Sequence, residues 1–350
     1  MRVWGLSVPA LAVACVLVSL AAAAPADASI IFFIRDATIW APNHDGTGAR
    51  QVTTDGTAAV PYDFVSSAKS GTAPPLEFHR GGNSAGQFGT INPDGTGLTV
   101  NPYNASMDAF NSFFTRLDDT GDRVTWPDES DCCGFRDWFA GAVGTDGSAP
   151  QVIYFDPDTA TMAANDVAFG DPQGTALLFT DVGTNYTVGA NSDEPCGGTD
   201  NLSTVLVLGT PPPSGQTSWP GPTAVYCQDN VAFETPALRP DGQLIAAEAF
   251  QVSSGSDAGG IVTMAIGAGV TGGSAQTPTT QVTPFGAGDT LPDFSPDGTQ
   301  IVFQRGADTV YTVAAGGGAP TEILTDASIP AWSPYTLPSL GGGTGGTGGG

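Results

Sequence analysis

The sequence predicts an all-β chain folded as a six-bladed β-propeller of four-stranded blades, on three observations. Glycine and proline number 48 and 28 in 350 residues, while lysine and arginine together number 10. That composition supplies helix breakers and withholds good helix formers. The apolar residues come in short runs of Val, Ile, Phe, Thr and Tyr between turn residues, which is the strand pattern. Turns recur in two interleaved sets, and two hairpin turns per repeat give the four strands of a propeller blade.

The first set is built on Asp-Gly or its equivalents. It comprises Asp45-Gly46, Asp94-Gly95, Asp146-Gly147, the Pro-rich turn Thr210 to Gly215, the Gly-rich turn Gly267 to Gly273, and Gly316 to Gly318. Their spacing of roughly fifty to sixty residues is blade-sized. The second set falls between them: Ser67 to Gly71, Asp118 to Gly121, Asp171 to Gly174, Arg239-Pro-Asp-Gly242 and Ser295-Pro-Asp-Gly298. Proline presets the first turn residue, and glycine accepts the positive φ that reverses the chain.

Asp293-Phe-Ser-Pro-Asp-Gly-Thr-Gln-Ile-Val-Phe-Gln-Arg305 resembles the repeat of TolB-type propellers, and Trp40-Ala-Pro-Asn-His-Asp-Gly-Thr-Gly48 with Gln51-Val-Thr53 resembles the half that follows it. The same repeat is similar to the propeller domain preceding the hydrolase in prolyl-oligopeptidase-type enzymes. The resemblance spans most of residues 29–336 and implies a propeller. It does not extend to the small α/β domain of TolB, so a Tol-system role is not implied.

The first set has six members and the second five. Residues 30–53 hold three strands with no first strand before them, and Ile329-Pro-Ala-Trp-Ser-Pro334 is a first strand with nothing after it. The C-terminal strand is therefore expected to complete the N-terminal blade as its innermost member, leaving only short, protected edges. Seven or five blades are the alternatives.

Residues 1–28 read as a signal peptide. Arg2 is the basic residue, Leu6 to Ala24 is almost wholly apolar, and Ala26-Asp27-Ala28 places small residues where signal peptidase reads them. A membrane anchor and a lipoprotein site at Cys15 are the weaker readings, so cleavage near Ala28, export, and no membrane insertion afterwards are expected. Residues 337–350 are Gly/Thr-rich and are expected to form a disordered tail. The net charge of −25 disfavours nucleic acid and acidic membrane faces.

Beyond the leader there are four cysteines, Cys132, Cys133, Cys196 and Cys227. In an exported protein they read as two disulfides among three possible connectivities, with bridges between loops favoured over a strained Cys132–Cys133 ring. By turn order all four fall on the face that carries each blade's second turn and the crossing to the next blade. The insertion in the third blade also carries Trp126, Asp128, Glu129, Asp131, Phe135 and Trp138, the expected recognition face, since long loops on a rigid scaffold carry binding.

Three catalytic or ligand motifs are set aside. Gly82-Asn-Ser84-Ala-Gly86, near His79, matches a hydrolase elbow but joins two strands instead of opening a helix. Gly267 to Gly272 matches a dinucleotide fingerprint but leads into no helix. Asp118-Asp119-Thr-Gly-Asp122 departs from the calcium-loop template. No cofactor is expected, with calcium elsewhere on the acidic surface as a minor option. With two histidines and neither in a supporting motif, the expected function is a non-enzymatic scaffold that binds an extracellular or envelope macromolecule, with a monomer expected. The alternatives are a hydrolase or lyase on glycan or peptide using carboxylates alone, or a sugar- or ion-binding module.

Overall fold

The computed structural model describes residues 29–70, 75–81, 87–102, 123–132, 135–144, 151–156, 164–169, 177–181, 205–209, 223–226, 231–251, 258–265 and 279–336, with the backbone path alone between 101 and 230. The described strands form six sheets, five of four strands and one of three. In chain order they are β1 (Ile30–Arg35), β2 (Thr38–Ala41) and β3 (Arg50–Gln51); β4 (Tyr62–Ser67), β5 (Leu76–Arg80), β6 (Gln87–Ile91) and β7 (Thr99–Pro102); then β8 (Arg123–Cys132), β9 (Phe135–Gly144) and β10 (Gln151–Asp156). There follow β11 (Ala164–Phe169), β12 (Leu177–Asp181), β13 (Val205–Gly209) and β14 (Thr223–Tyr226); β15 (Val231–Leu238), β16 (Leu244–Gln251), β17 (Gly260–Ala265) and β18 (Thr280–Gln281). Last come β19 (Asp289–Phe294), β20 (Gln300–Arg305), β21 (Thr309–Ala314) and β22 (Thr321–Thr325), then β23 (Ser328–Ser333).

Each four-stranded sheet is an antiparallel meander, except that the first has the order β23-β1-β2-β3. The last strand pairs with the first, Ile31 opposite Trp332 and Phe32 opposite Ala331. The strands heading successive sheets touch: β11 meets β15, β15 meets β19, β19 meets β23, and β23 meets β4. This is an all-β propeller of four-stranded blades. The third sheet has the order β10-β9-β8, and the residues that precede β8 lie outside the described set.

Core residues lie between sheets because each blade buries both faces. Phe294, Ile301 and Phe303 of the sixth sheet pack with Ile261 and Val282 of the fifth. Val302 and Val310 on the sixth sheet's other face pack with Ile31, Phe33 and Trp332 of the first. Ile30, Phe32 and Ile39 of the first sheet then pack with Tyr62, Val65 and Phe78 of the second.

Both sets of turns form as the sequence predicts where they are described. Ser295 N–H bonds Gln300 O at 2.9 Å and Gly298 N–H bonds Ser295 O at 2.8 Å, and Arg239 to Leu244 repeats the pattern. Asp45 and Asp94 each accept from a threonine two residues on, Thr47 and Thr96, through backbone N–H at 2.9 Å and hydroxyl at 2.7 Å. These bonds hold both carboxyls below the ordinary aspartate range.

Each described innermost strand, β4, β11, β15, β19 and β23, carries a one-residue bulge against its neighbour. On three of them a residue directly before proline takes a positive φ: Thr235 at 48°, Leu291 at 54° and Ile329 at 53°. A residue preceding proline prefers extended backbone, so the surrounding sheet imposes these angles. A bulge bends a strand and increases its twist. Ile329 N–H, displaced from the ladder, donates to Gln304 Oε1 at 2.8 Å.

Candidate functional site

Alternate strands run in opposite directions, so every blade has a turn face, where its first and third turns lie, and a crossing face. On the crossing face the third sheet is exceptional. Its strands β8 and β9 have ten residues each, against six in β20. Four further residues of strand extend the hairpin by about 13 Å at ~3.3 Å per residue. The insertion expected as a long loop in the third blade is thus largely paired strand, with Asp128 opposite Phe139, Glu129 opposite Trp138, Asp131 opposite Arg136 and Cys132 opposite Phe135. Asp, Glu, Ser and Pro are poor strand formers, but cross-strand pairing overrides so weak a preference.

The register also divides the expected recognition residues. Successive strand residues lie on opposite faces of the ribbon. Trp126, Asp128 and Phe135 therefore share one face, and Glu129, Asp131 and Trp138 share the other. They form two half-sets, one on each face. Cys132 ends β8 at the hairpin tip. Cys133, Cys196 and Cys227, and with them both expected disulfides, lie outside the described residues.

On the same crossing face, three consecutive blades repeat a device that the sequence reading did not single out. Phe33-Ile-Arg35, Phe78-His-Arg80 and Phe303-Gln-Arg305 each end the second strand of a blade. In each the guanidinium lies 4.9–6.0 Å from the centroid of the phenylalanine two residues earlier. Each arginine then ties down the blade's entry: Arg35 to the carbonyls of Thr325 and Asp326, Arg80 to Asp55 at 2.8 Å, and Arg305 to both oxygens of Asp289 at 2.6 and 2.8 Å. The only sequence signal is the Phe-x-Arg spacing itself.

Beside Arg80, Tyr62 donates to Asp55 at 2.8 Å. Burial and then this bond push the phenol up to about 12. Burial also pushes the Asp55 carboxyl up, but bonds from Tyr62 and Arg80 outweigh it and hold the group below its usual range. His79 lies 2.5 Å from Asp63, with the imidazole side chain 7% exposed and the carboxylate 31%. A histidine serving as general base needs its free nitrogen turned toward substrate with the carboxylate behind it. Here the ring is the inner partner.

The hydrolase-like Gly82–Gly86 segment lies outside the described residues, between β5 and β6 in the chain. The Gly267–Gly272 segment, between β17 and β18 in the chain, also lies outside the described residues. Asp118–Asp122 lies outside the described residues, and among the described residues no group of three or more His, Cys, Asp or Glu is placed to hold a metal ion. On the turn face a shallow cleft of about 210 Å³ lies between two neighbouring Pro-Asp-Gly turns, lined by Arg239, Asp241 and Asp297. Arg239 is held by Asp241 at 2.7 Å.

These contacts leave few cations to face solvent. Of the six arginines and lysines whose side chains are described, five are committed internally: Arg35 to carbonyls, and Lys69, Arg80, Arg239 and Arg305 to carboxylates. Among the described residues, the charge left facing solvent is therefore mainly that of carboxylates.

No protein-family model and no curated protein sequence matches the chain. Solved structures do match its fold. TolB from Acinetobacter baumannii superposes with a TM-score of 0.59 at 15% identity, covering 88% of this chain and 68% of that one. A TolB structure from Agrobacterium tumefaciens gives 0.52 at 16% identity, covering 85% of this chain and 88% of that one. At such identities the likeness is one of fold, and the chain is a TolB-like β-propeller.

Proposed function

We propose that this chain is an exported, non-enzymatic binding scaffold, a six-bladed ring closed by β23 that engages an extracellular or envelope macromolecule through its crossing face. The projecting β8–β9 hairpin carries the reading, because it places Glu129, Asp131, Phe135 and Trp138 on a two-stranded extension beyond the six-residue length of β20. Six sheets and the pairing of β23 with β1 support the closed ring. The Ala26-Asp27-Ala28 signal supports export. Residues 123–230 hold fourteen carboxylates against two arginines, a net −12 of the total −25. That charge favours a neutral or cationic partner and disfavours nucleic acid. The inward placement of His79 supports a role other than hydrolysis.

Replacing residues 129–138 by Asn-Gly joins Asp128 to Phe139 through a two-residue hairpin turn. The variant is expected to melt as a folded propeller while losing the proteins that the wild-type chain captures from envelope extract. Unchanged capture, or turnover of glycans or peptides by the wild-type protein, would overturn the proposal.

A further inference from the structure

The β8–β9 register runs without a shift from Arg123 opposite Gly144 to Cys132 opposite Phe135. Residues directly opposite in an antiparallel pair share a face, and the face changes at every residue. Four cross-strand levels therefore stack on one face of the ribbon, about 7 Å apart. From base to tip they are Trp126 with Gly141, Asp128 with Phe139, Ser130 with Asp137, and Cys132 with Phe135. The other face holds Glu129 with Trp138 and Asp131 with Arg136. The last pairing of β10 with β9 is Asp156 opposite Trp138, so the two outer levels lie beyond the end of β10.

The two faces differ in how their charge is balanced. Asp131 stands opposite an arginine, an arrangement that stabilises a sheet on its own, and Glu129 is diagonal to the same arginine. On the first face Asp128 stands opposite Phe139 and Asp137 opposite Ser130, with no cation at any of the four levels. These two aspartates are diagonal neighbours one level apart, with Trp126 on the base side of them and Phe135 on the tip side.

We infer that this first face binds an extended cationic peptide segment with Lys or Arg at alternate positions. The inference rests on the binding reading above. Alternate side chains of an extended chain repeat every ~6.6 Å, which matches the step between the levels of Asp128 and Asp137. A carboxylate accepts a charge-assisted hydrogen bond from an ammonium or guanidinium, and an aromatic ring attracts the same cation to its π-face. Aromatic residues bracketing two aspartates supply both. The net −12 of residues 123–230 adds a field that draws such a segment in. Acids that only keep a projecting ribbon from pairing with a second copy need no aromatic residues and no difference between the faces.

Isothermal titration of the full chain with three probes tests it: a capped peptide of alternating Lys and Ser, its Glu-Ser counterpart, and the neutral oligosaccharide cellohexaose. Only the lysine peptide should bind. Its binding should vanish as salt rises from about 0.1 M to about 1 M, where the screening length falls from about 10 Å to about 3 Å. Two double variants remove the same charge from opposite faces. Asp128→Asn/Asp137→Asn should weaken the lysine peptide about tenfold, and Glu129→Gln/Asp131→Asn less than about threefold. No binding of the lysine peptide, an equal loss from both double variants, or a preference for the glutamate peptide or cellohexaose would overturn the inference. Capture from envelope extract separates it from the reading beneath it. If Asp128→Asn/Asp137→Asn captures as the wild type does while the 129–138 replacement does not, the cationic partner fails and the hairpin reading stands. If both capture as the wild type does, the hairpin reading fails as well.

Discussion

Lys69 and Asp293, 224 residues apart, meet at 2.6 Å beside β23. Asp293 Oδ2 also accepts Trp332 N–H at 2.7 Å, and Lys69 donates to the Trp332 carbonyl. One residue of β23 is thus gripped from the blade before it and the blade after it. Both charged side chains are under 10% exposed, so solvent does little to replace a lost partner. Asp293→Ala removes the carboxylate that pairs with Lys69 and accepts Trp332 N–H, and should cost about 3–5 kcal/mol. The double variant Lys69→Met/Asp293→Leu should recover part of that loss. Urea unfolding of the three proteins gives the coupling, and a loss below ~0.5 kcal/mol for Asp293→Ala would contradict the grip.

Tyr62 makes the fold sensitive to alkali. Its folded value of about 12 stands above the ordinary tyrosine value of about 10. Folding therefore favours the protonated phenol, and this contribution is complete below pH ~10 and lost as pH rises toward ~12. Tyr62→Phe should be less stable near neutrality by about 1 kcal/mol for the lost bond to Asp55. It should then decline less steeply between those pH values. Urea midpoints measured across that range check it, and parallel curves would contradict it.

Gly46 shows how blades nest. It has φ +81°, and a Cβ built there would lie 2.1 Å from the Ile323 carbonyl oxygen of the neighbouring sheet. Gly46→Ala should cost at least 1–3 kcal/mol, from the left-handed backbone alone and more from the clash. Gly316→Ala, where a Cβ meets nothing within 4 Å, should change the thermal midpoint far less. Equal effects would refute the nesting.

Much of this architecture was legible in the sequence because a hairpin turn is a local event. Asp45-Gly46-Thr47 and Asp94-Gly95-Thr96 carry their own hydrogen bonds within a few residues, and Ser295-Pro-Asp-Gly298 needs nothing distant. The return of the last strand was legible because three strands at one end and one at the other complete a sheet. What could not be read depends on partners far away. Nothing local marks Lys69 as the partner of Asp293, or Arg35 as the partner of the Thr325 carbonyl. The far part of the hairpin, residues 127–137, read as a loop because its acids, cysteines and proline mimic one, and the division of Trp126 from Trp138 follows only from its register. One signal was available and unused: Thr235-Pro, Leu291-Pro and Ile329-Pro recur at the same bulge in three successive blades.

The account depends most on β23 being an integral strand of the first sheet. A chain ended at Asp326 lacks β23 and with it Trp332, which holds Ser29 and Asp293. Its urea and thermal unfolding, followed by circular dichroism beside the full-length chain, is the most direct test. The truncated chain should lose its cooperative transition and expose the apolar face of β1. A sharp transition at the full-length midpoint would contradict the account.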